Sequence, residues 1–322
     1  MSAPNPPQRG LPARSPDLAD LPAIGRLLVP LDGSPTAESA LALAERLAEA
    51  FDATMVLLHV IERRALPRRH GEHHLTRREE AEAYLVGVAG RVQAQGRTVE
   101  WHTHAVPVGD VAESIATHAD EHAIDLIVLC THGEGGIRDA LWGSIAQQVV
   151  DHTTRPVLLA RAESPAAMAA FAPQSIMVPL DGTAAAEAAL PHAARLAGGL
   201  RATLRLVLVV PTLETVTAEE RATTTFLPGA SRVLLDVQEA QAAAYLDGLA
   251  AAARTIGVPA RSEVRRGEAV AELATDTGEH ADGLVVIATH GRAGLQAIWN
   301  HSVAARLLNR TQAPILLVPI PE

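Results

Sequence analysis

Short runs of uninterrupted apolar residues alternate along this chain with longer segments whose apolar positions recur every three to four residues. The first pattern reads as strands buried on both faces, and the second as helices with one buried face. Strands are predicted at Arg26–Leu31, Thr54–Val60, Thr98–Ala105, Ile124–Cys130 and Pro156–Arg161. Helices are predicted from Ser34-Pro35 to Ala50, over Thr76–Gln95, from Asp110 to Glu121 and over Ser144–His152. Ser34 followed by proline is a helix start with a capping oxygen and a preset first φ. The order then repeats, with strands at Ile176–Leu180, Thr203–Val210, Ala260–Arg265, Gly283–Ala288 and Pro314–Val318.

The repetition extends to individual residues. Leu28-Val29-Pro30-Leu31-Asp32-Gly33-Ser34 returns as Met177-Val178-Pro179-Leu180-Asp181-Gly182-Thr183, and an apolar strand ending Thr131-His132-Gly133 returns ending Thr289-His290-Gly291. The copies lie 149 residues apart at the first landmark and 158 at the second, so the second copy has gained length between them, expected in Pro211–Gly229. The chain is a tandem duplication of one strand-and-helix unit. The expected organisation is a flexible tail at 1–23, a first domain at 24–162, a linker at 163–174 and a second domain at 175–320.

Composition narrows the partners. Of 322 residues, 48% are hydrophobic, enough for two cores, but only 2% are aromatic, so platforms for stacking bases are nearly absent. The net charge of −10 also lacks the basic footprint of a nucleic-acid binder, and no nucleic-acid partner is expected. All 27 cationic residues are arginine. Without lysine there can be no Walker loop, kinase lysine or pyridoxal Schiff base. The single cysteine, Cys130, excludes an internal disulfide. The proline-rich start has no apolar leader, and no run approaches a membrane span, so a cytoplasmic protein without a membrane partner is expected.

Candidate chemistry collects where strands end. In open parallel sheets, ligands bind beyond the carboxyl ends of strands, where strand order reverses. Asp32, Val60 and Cys130 occupy such ends. Gly133 to Gly136 and Gly143-Ser144 surround the next helix start, where glycines permit close approach and free amides favour phosphate. This pattern is consistent with a lysine-free phosphate cradle, with Asp32 accepting from ribose hydroxyls. Glycine turns before capped helices are also ordinary architecture. His70-Gly71-Glu72-His73-His74 gathers imidazoles, but Arg68, Arg69, Arg77 and Arg78 surround it, so it reads as a solvated loop and no metal is assigned. No Ser or Asp neighbouring His132 or His290 in sequence builds a nucleophilic arrangement, so no catalytic residue is assigned.

These residues resemble the universal stress proteins, in their tandem two-domain form, over almost all of Ile24 to Pro319. Nucleotide-binding members of that family carry Gly, two residues, Gly, nine residues, then Gly-Ser/Thr. The first copy has Cys130, Gly133 and Gly143-Ser144 in that spacing, with cysteine replacing the first glycine. The second copy departs further, with Ala288, Gly291 and His301-Ser302. The resemblance implies two flavodoxin-like (Rossmann-like) α/β domains. Each is expected to be a five-stranded parallel sheet of order 3-2-1-4-5 with helices on both faces. It also implies dimer-like pairing through the fifth strands, Val157–Arg161 with Ile315–Val318, within the chain or in a homodimer.

By the same resemblance, ATP or AMP, the former with Mg2+, would meet Asp32 on the ribose side and Val60 at the adenine. Gly133, Gly143 and Ser144 would hold the phosphates. Pro30, Leu31, Leu129, Cys130, His132 and Ile145 complete the first-domain set. Asp181, Val210, Gly291 and Ser302 form a weaker second-domain set. The expected function is a nucleotide-binding stress regulator with little or no turnover, its nucleotide held mainly by the first domain, acting through an unidentified protein partner. The alternative is a nucleotide-independent dimeric interaction module. Related adenylyl-transfer folds need a His-x-Gly-His type motif after the first strand, where this chain has Asp32-Gly33-Ser34-Pro35, so an enzyme is not expected.

Overall fold

The computed structural model describes residues 18, 20–62, 68–69, 72–73, 75–107, 110–132, 144–162, 171–215, 228–289 and 303–320. The first repeat comprises β1 (Arg26–Pro30), α1 (Pro35–Phe51), β2 (Thr54–Glu62), the two-residue strands β3 (Arg68–Arg69) and β4 (Glu72–His73), and α2 (Arg78–Ala94). It continues through β5 (Val99–Val106), α3 (Val111–Glu121), β6 (Leu126–His132), α4 (Ser144–His152) and β7 (Val157–Ala162). The second holds β8 (Ser175–Leu180), α5 (Ala184–Glu187), α6 (Leu190–Leu200), β9 (Thr203–Val210), α7 (Pro228–Thr255) and β10 (Ala260–Arg266). It ends with α8 (Ala269–Glu279), β11 (Gly283–Thr289), α9 (Val303–Leu308) and β12 (Ile315–Pro319).

Each repeat forms a parallel sheet in the expected order, β5-β2-β1-β6-β7 and β10-β9-β8-β11-β12. The two sheets are joined edge to edge. β7 runs antiparallel to β12, pairing Val157 with Leu317, Leu158 with Leu316 and Leu159 with Ile315, so one ten-stranded sheet crosses the molecule. Fifth-strand pairing therefore occurs within the chain. It uses up the backbone donors and acceptors that each domain alone would expose at an open edge.

Because consecutive side chains in a strand point to opposite faces, each strand feeds two cores. Leu27 and Val29 face one core with Leu43, Leu47 and Leu85, while Leu28 faces the other with Ile115, Ile124 and Val149. Both cores continue into the second repeat, through Ile176, Leu204 and Leu246 on the first face and Leu273, Val285 and Leu307 on the second. On the first face, Phe51 of α1 lies against Gly199 of α6, where a Cβ would come 2.1 Å from the ring. Arg195 stands over the same ring, 5.0 Å from its centroid, so a close approach and a cation–π contact meet at the seam.

Two expectations need correction. Leu18, assigned to the flexible tail, is 6% exposed and belongs to the first core, with Leu21 packed against it. Isolated leucines among prolines have no period to reveal such an anchor. The added length of the second copy was expected before Gly229, yet Pro228 and Gly229 already lie in α7, which has 28 residues against 17 in its counterpart α2. Most of the insertion lengthens a helix. The rest of Pro211–Gly229 lies largely outside the described residues, as do 1–17 of the tail and 163–170 of the linker.

His192 of α6 lines a cleft between the repeats, with Ile24, Asp125 and Pro156 on one side and Leu196 and Leu316 on the other. Its Nδ1 is buried with no hydrogen-bond partner, and desolvation pushes its pKa down to about 4. The folded state thus refuses a proton that the unfolded chain accepts below about 6.5. Stability from this group is complete above that pH and falls toward pH 4. Urea unfolding should show His192→Leu removing on the order of 2 kcal/mol of the stability loss between pH 7 and pH 4.5. An unchanged pH profile in the variant would remove His192 as the cause.

Candidate functional site

β1 is the point of reversal in the first repeat: the chain leaves it toward β2 and β5 on one side, then returns to β6 and β7 on the other. In open α/β sheets such a reversal is where a crevice forms, here beyond the carboxyl ends of β1 and β6. Asp32 sits at its β1 side. Its Oδ1 accepts from Ser34 N at 2.9 Å, and Ser34 Oγ in turn accepts from Ala37 N at 3.1 Å, capping α1. Gly33 between them has φ +92°, a conformation open to glycine, and a Cβ there would meet Leu75 at 3.0 Å. The aspartate is thus held by a turn that only this order of residues makes easily.

Buried His59 braces the same end of the sheet. Its Nδ1 lies 2.6 Å from the Leu31 carbonyl and its Nε2 3.0 Å from that of Leu75, tying β2 to the end of β1 and to the chain that covers Gly33. Pro30 is half-buried and Leu31 buried at the end of β1. Across the crevice, Leu129 is buried and Cys130 half-buried. Val60 and Ile145 pack against the second core, on the face covered by α3 and α4. His132 ends β6 and Ser144 begins α4. Gly133 and Gly143 lie outside the described residues, as do Gly291 and Ser302.

The second repeat reproduces the turn. Asp181 Oδ1 accepts from Thr183 N at 2.9 Å and from Thr183 Oγ1 at 2.6 Å, Thr183 caps at Ala186, and Gly182 has φ +79°. One expected correspondence shifts. β1 pairs Pro30 with Leu58, and β8 pairs Pro179 with Val207, so the counterpart of Val60 is Val209 rather than Val210. Val209 packs on the second core like Val60, whereas Val210 faces the first. A slip of one residue reverses the face of a strand residue. Reading the two strand ends without their ladders gives no way to detect it.

Polar clusters between the outer strand and its helix escaped the sequence reading. In the first repeat, His102 and His104 of β5 meet His118 of α3 and His122 at its C-cap. Alternate histidines on a strand and a pair four apart on a helix were the signal. In the second repeat the ladder puts Glu263 and Arg265 at the equivalent strand positions, and Asp276 and His280 occupy the helix positions. There every charge is answered. Arg205 grips fully buried Asp276 with two bonds, at 2.8 and 2.5 Å, and reaches Glu263 at 2.8 Å. Arg265 binds Glu263 and approaches Asp276 at 3.2 Å.

The fold and its turns define a tandem of two doubly wound α/β units, each with an acidic turn at its switch point. The chain belongs to the universal stress protein family, whose description "Universal stress protein family" matches residues 23–161 and 173–319. Among similar proteins, universal stress protein MJ0577 of Methanocaldococcus jannaschii is 25% identical over 155 residues, covering 42% of this chain and 94% of that protein. Universal stress protein YxiE of Bacillus subtilis is 27% identical over 145 residues, covering 42% and 98%. A universal stress protein from Archaeoglobus fulgidus shares the fold across both repeats, with a TM-score of 0.67 at 15% identity, covering 91% of this chain and 98% of that one. No helix among the described residues is long and apolar enough to cross a membrane.

The ion-pair cluster makes its own prediction. Arg205→Leu leaves the Asp276 carboxylate buried beside one remaining arginine and should destabilise the chain by about 3 kcal/mol. Arg205→Leu/Asp276→Leu should recover most of that loss in denaturant unfolding. A double variant as weak as the single would show that packing, not the uncompensated charge, is at stake.

Proposed function

We propose that the chain binds an adenine nucleotide, ATP or AMP, in the first-repeat crevice and serves as a cytoplasmic stress regulator with little or no turnover. The observation that carries this is the Asp32 turn at the reversal of strand order. Asp32 Oδ1 is committed to Ser34, which orients the carboxylate and leaves Oδ2 for a ribose hydroxyl. In the sequence, the Gly133 and Gly143-Ser144 spacing leads into α4, whose first-turn amides and dipole suit phosphate. With no lysine in the sequence, backbone amides, arginine and, for ATP, Mg2+ must balance the phosphate charge.

The first repeat is the stronger site in this reading. Its phosphate loop keeps Gly143-Ser144, whereas the second has His301-Ser302, and an imidazole there crowds a phosphate if glycine is needed for space. That same loss in the second repeat favours the alternative reading, an interaction module that needs no nucleotide.

Freshly purified protein, once denatured, should release about one adenine nucleotide per chain, identified by anion-exchange chromatography, and Gly143→Trp should release none. Asp32→Asn should weaken binding roughly tenfold, or about 1.4 kcal/mol, in calorimetric titration. Added ATP should remain intact during incubation. Two equal sites per chain would overturn the asymmetry, and no nucleotide released or bound would leave the interaction module as the reading.

A further inference from the structure

Four imidazoles lie between β5 and α3, at the outer edge of the first repeat and away from the Asp32 crevice. His118 and His122, four apart on the helix, are stacked with centroids 4.0 Å apart, and His102 meets them edge-on at 5.0 and 4.5 Å. His102, His118 and His122 each bring one ring nitrogen within 4.8 Å of the others. Tetrahedral zinc with nitrogens at about 2.0–2.1 Å sets neighbouring nitrogens about 3.4 Å apart. Small rotations of the half-buried His102 and His122 span the difference.

His118 is the decisive group. It is fully buried, and its Nε2 has no hydrogen-bond partner. Its Nδ1 lies 3.1 Å from His104 Nε2, and His104 Nδ1 lies 3.3 Å from Ser114 Oγ. With His104 donating to Ser114 and His118 Nδ1–H donating to His104, the Nε2 of His118 carries a lone pair. A ligating histidine is commonly held in this way, its second nitrogen donating to an outer partner that fixes the tautomer. A buried nitrogen without a partner requires an explanation, and a bound cation is one.

The second repeat supplies the internal control. At the corresponding positions Glu263, Arg265 and Asp276 neutralise one another with Arg205. Although Asp276, Glu279 and His280 also bring one donor atom each within 4.8 Å of the others, two arginines already hold that cluster. The first repeat keeps the polar pocket but fills it with imidazoles. The facing cation, Arg26, is engaged twice by Glu100, at 3.2 and 2.7 Å, and donates to the His122 carbonyl. Glu100 also approaches His102 Nε2 at 3.9 Å, and Glu121 adds negative charge near His104.

We infer that His102, His118 and His122 form a site for a divalent d-block cation of zinc type, with His104 as the outer partner of His118 and the fourth position open to water or Glu100. Imidazole donors select Zn2+, Co2+, Ni2+ or Cu2+ over Mg2+ and Ca2+. The site is independent of the nucleotide reading. Its effect is to tie the edge strand β5 to α3.

Full-length protein without an affinity tag, stripped by a chelator, should bind one Co2+ per chain with visible bands of a nitrogen-ligated four- or five-coordinate ion. Zn2+ should displace it. His102→Asn, on the half-exposed edge strand, and His118→Gln should each weaken binding tenfold or more. Circular dichroism and nucleotide titration of His102→Asn should match the parent, separating loss of the site from loss of the fold. The triple variant His70→Asn/His73→Asn/His74→Asn should keep the Co2+ spectrum. Absence of Co2+ and Zn2+ binding by folded protein overturns the inference, as does binding that survives His102→Asn but disappears with the loop histidines.

Discussion

A parallel strand cannot be reached by a tight turn, so every step between neighbouring strands must cross over a face of the sheet. That constraint underlies the whole molecule. Crossovers toward β2 and β5 bring α1 and α2 onto one face, and crossovers toward β6 and β7 bring α3 and α4 onto the other. Because crossovers keep one hand, reversing direction at β1 changes the face being covered, and helices part at the carboxyl end of that strand. The Asp32 turn lies at that parting. The crevice is thus a by-product of covering a parallel sheet.

The same constraint leaves β7 and β12 as apolar fifth strands with one open edge each. Val157, Leu158 and Leu159 are buried in the two cores, and their edge pairs with Leu317, Leu316 and Ile315. Duplication within one chain makes the pairing intramolecular, so it no longer depends on protein concentration. It also displaces the exposed edges to β5 and β10, the two strands with the most polar sequences of the sheet. Inward-pointing polar residues are a recognised way to blunt an edge against further pairing. His102 and His104, like Glu263 and Arg265, satisfy that requirement.

Much of this was legible because aliphatic runs with period two or none, punctuated by Gly and Pro, are the strongest local signal a chain carries. Strands such as Thr203–Val210 and helices such as Ser144–His152 were readable to the residue. The duplication made the Asp32 and Asp181 turns legible together. Contacts that depend on ladders or on distant partners were not. Val209 takes its place from its register, Leu18 from a core built by residues elsewhere in the chain, and His59 from two carbonyls that no spacing announces. The histidine cluster lay between these cases, since its strand and helix halves were visible separately but only the packing of α3 on β5 brings them together.

Edge protection alone does not explain why the two repeats chose different chemistry for one pocket. Ion pairs fill the second pocket, where Asp276 is fully buried with Arg205 and Arg265 around it. A pocket meant only to be polar and closed would resemble that one. Imidazoles are poorer for the purpose, because a neutral ring has one donor and one acceptor in fixed directions and leaves a buried nitrogen unmet unless both are matched. His118 meets only one. Leaving such an atom unmet typically costs about 1–3 kcal/mol, a penalty the duplicate pocket avoids. The difference between repeats therefore lies in what remains available to a ligand, and in the first repeat that is the partnerless Nε2 of His118 beside the rings of His102 and His122.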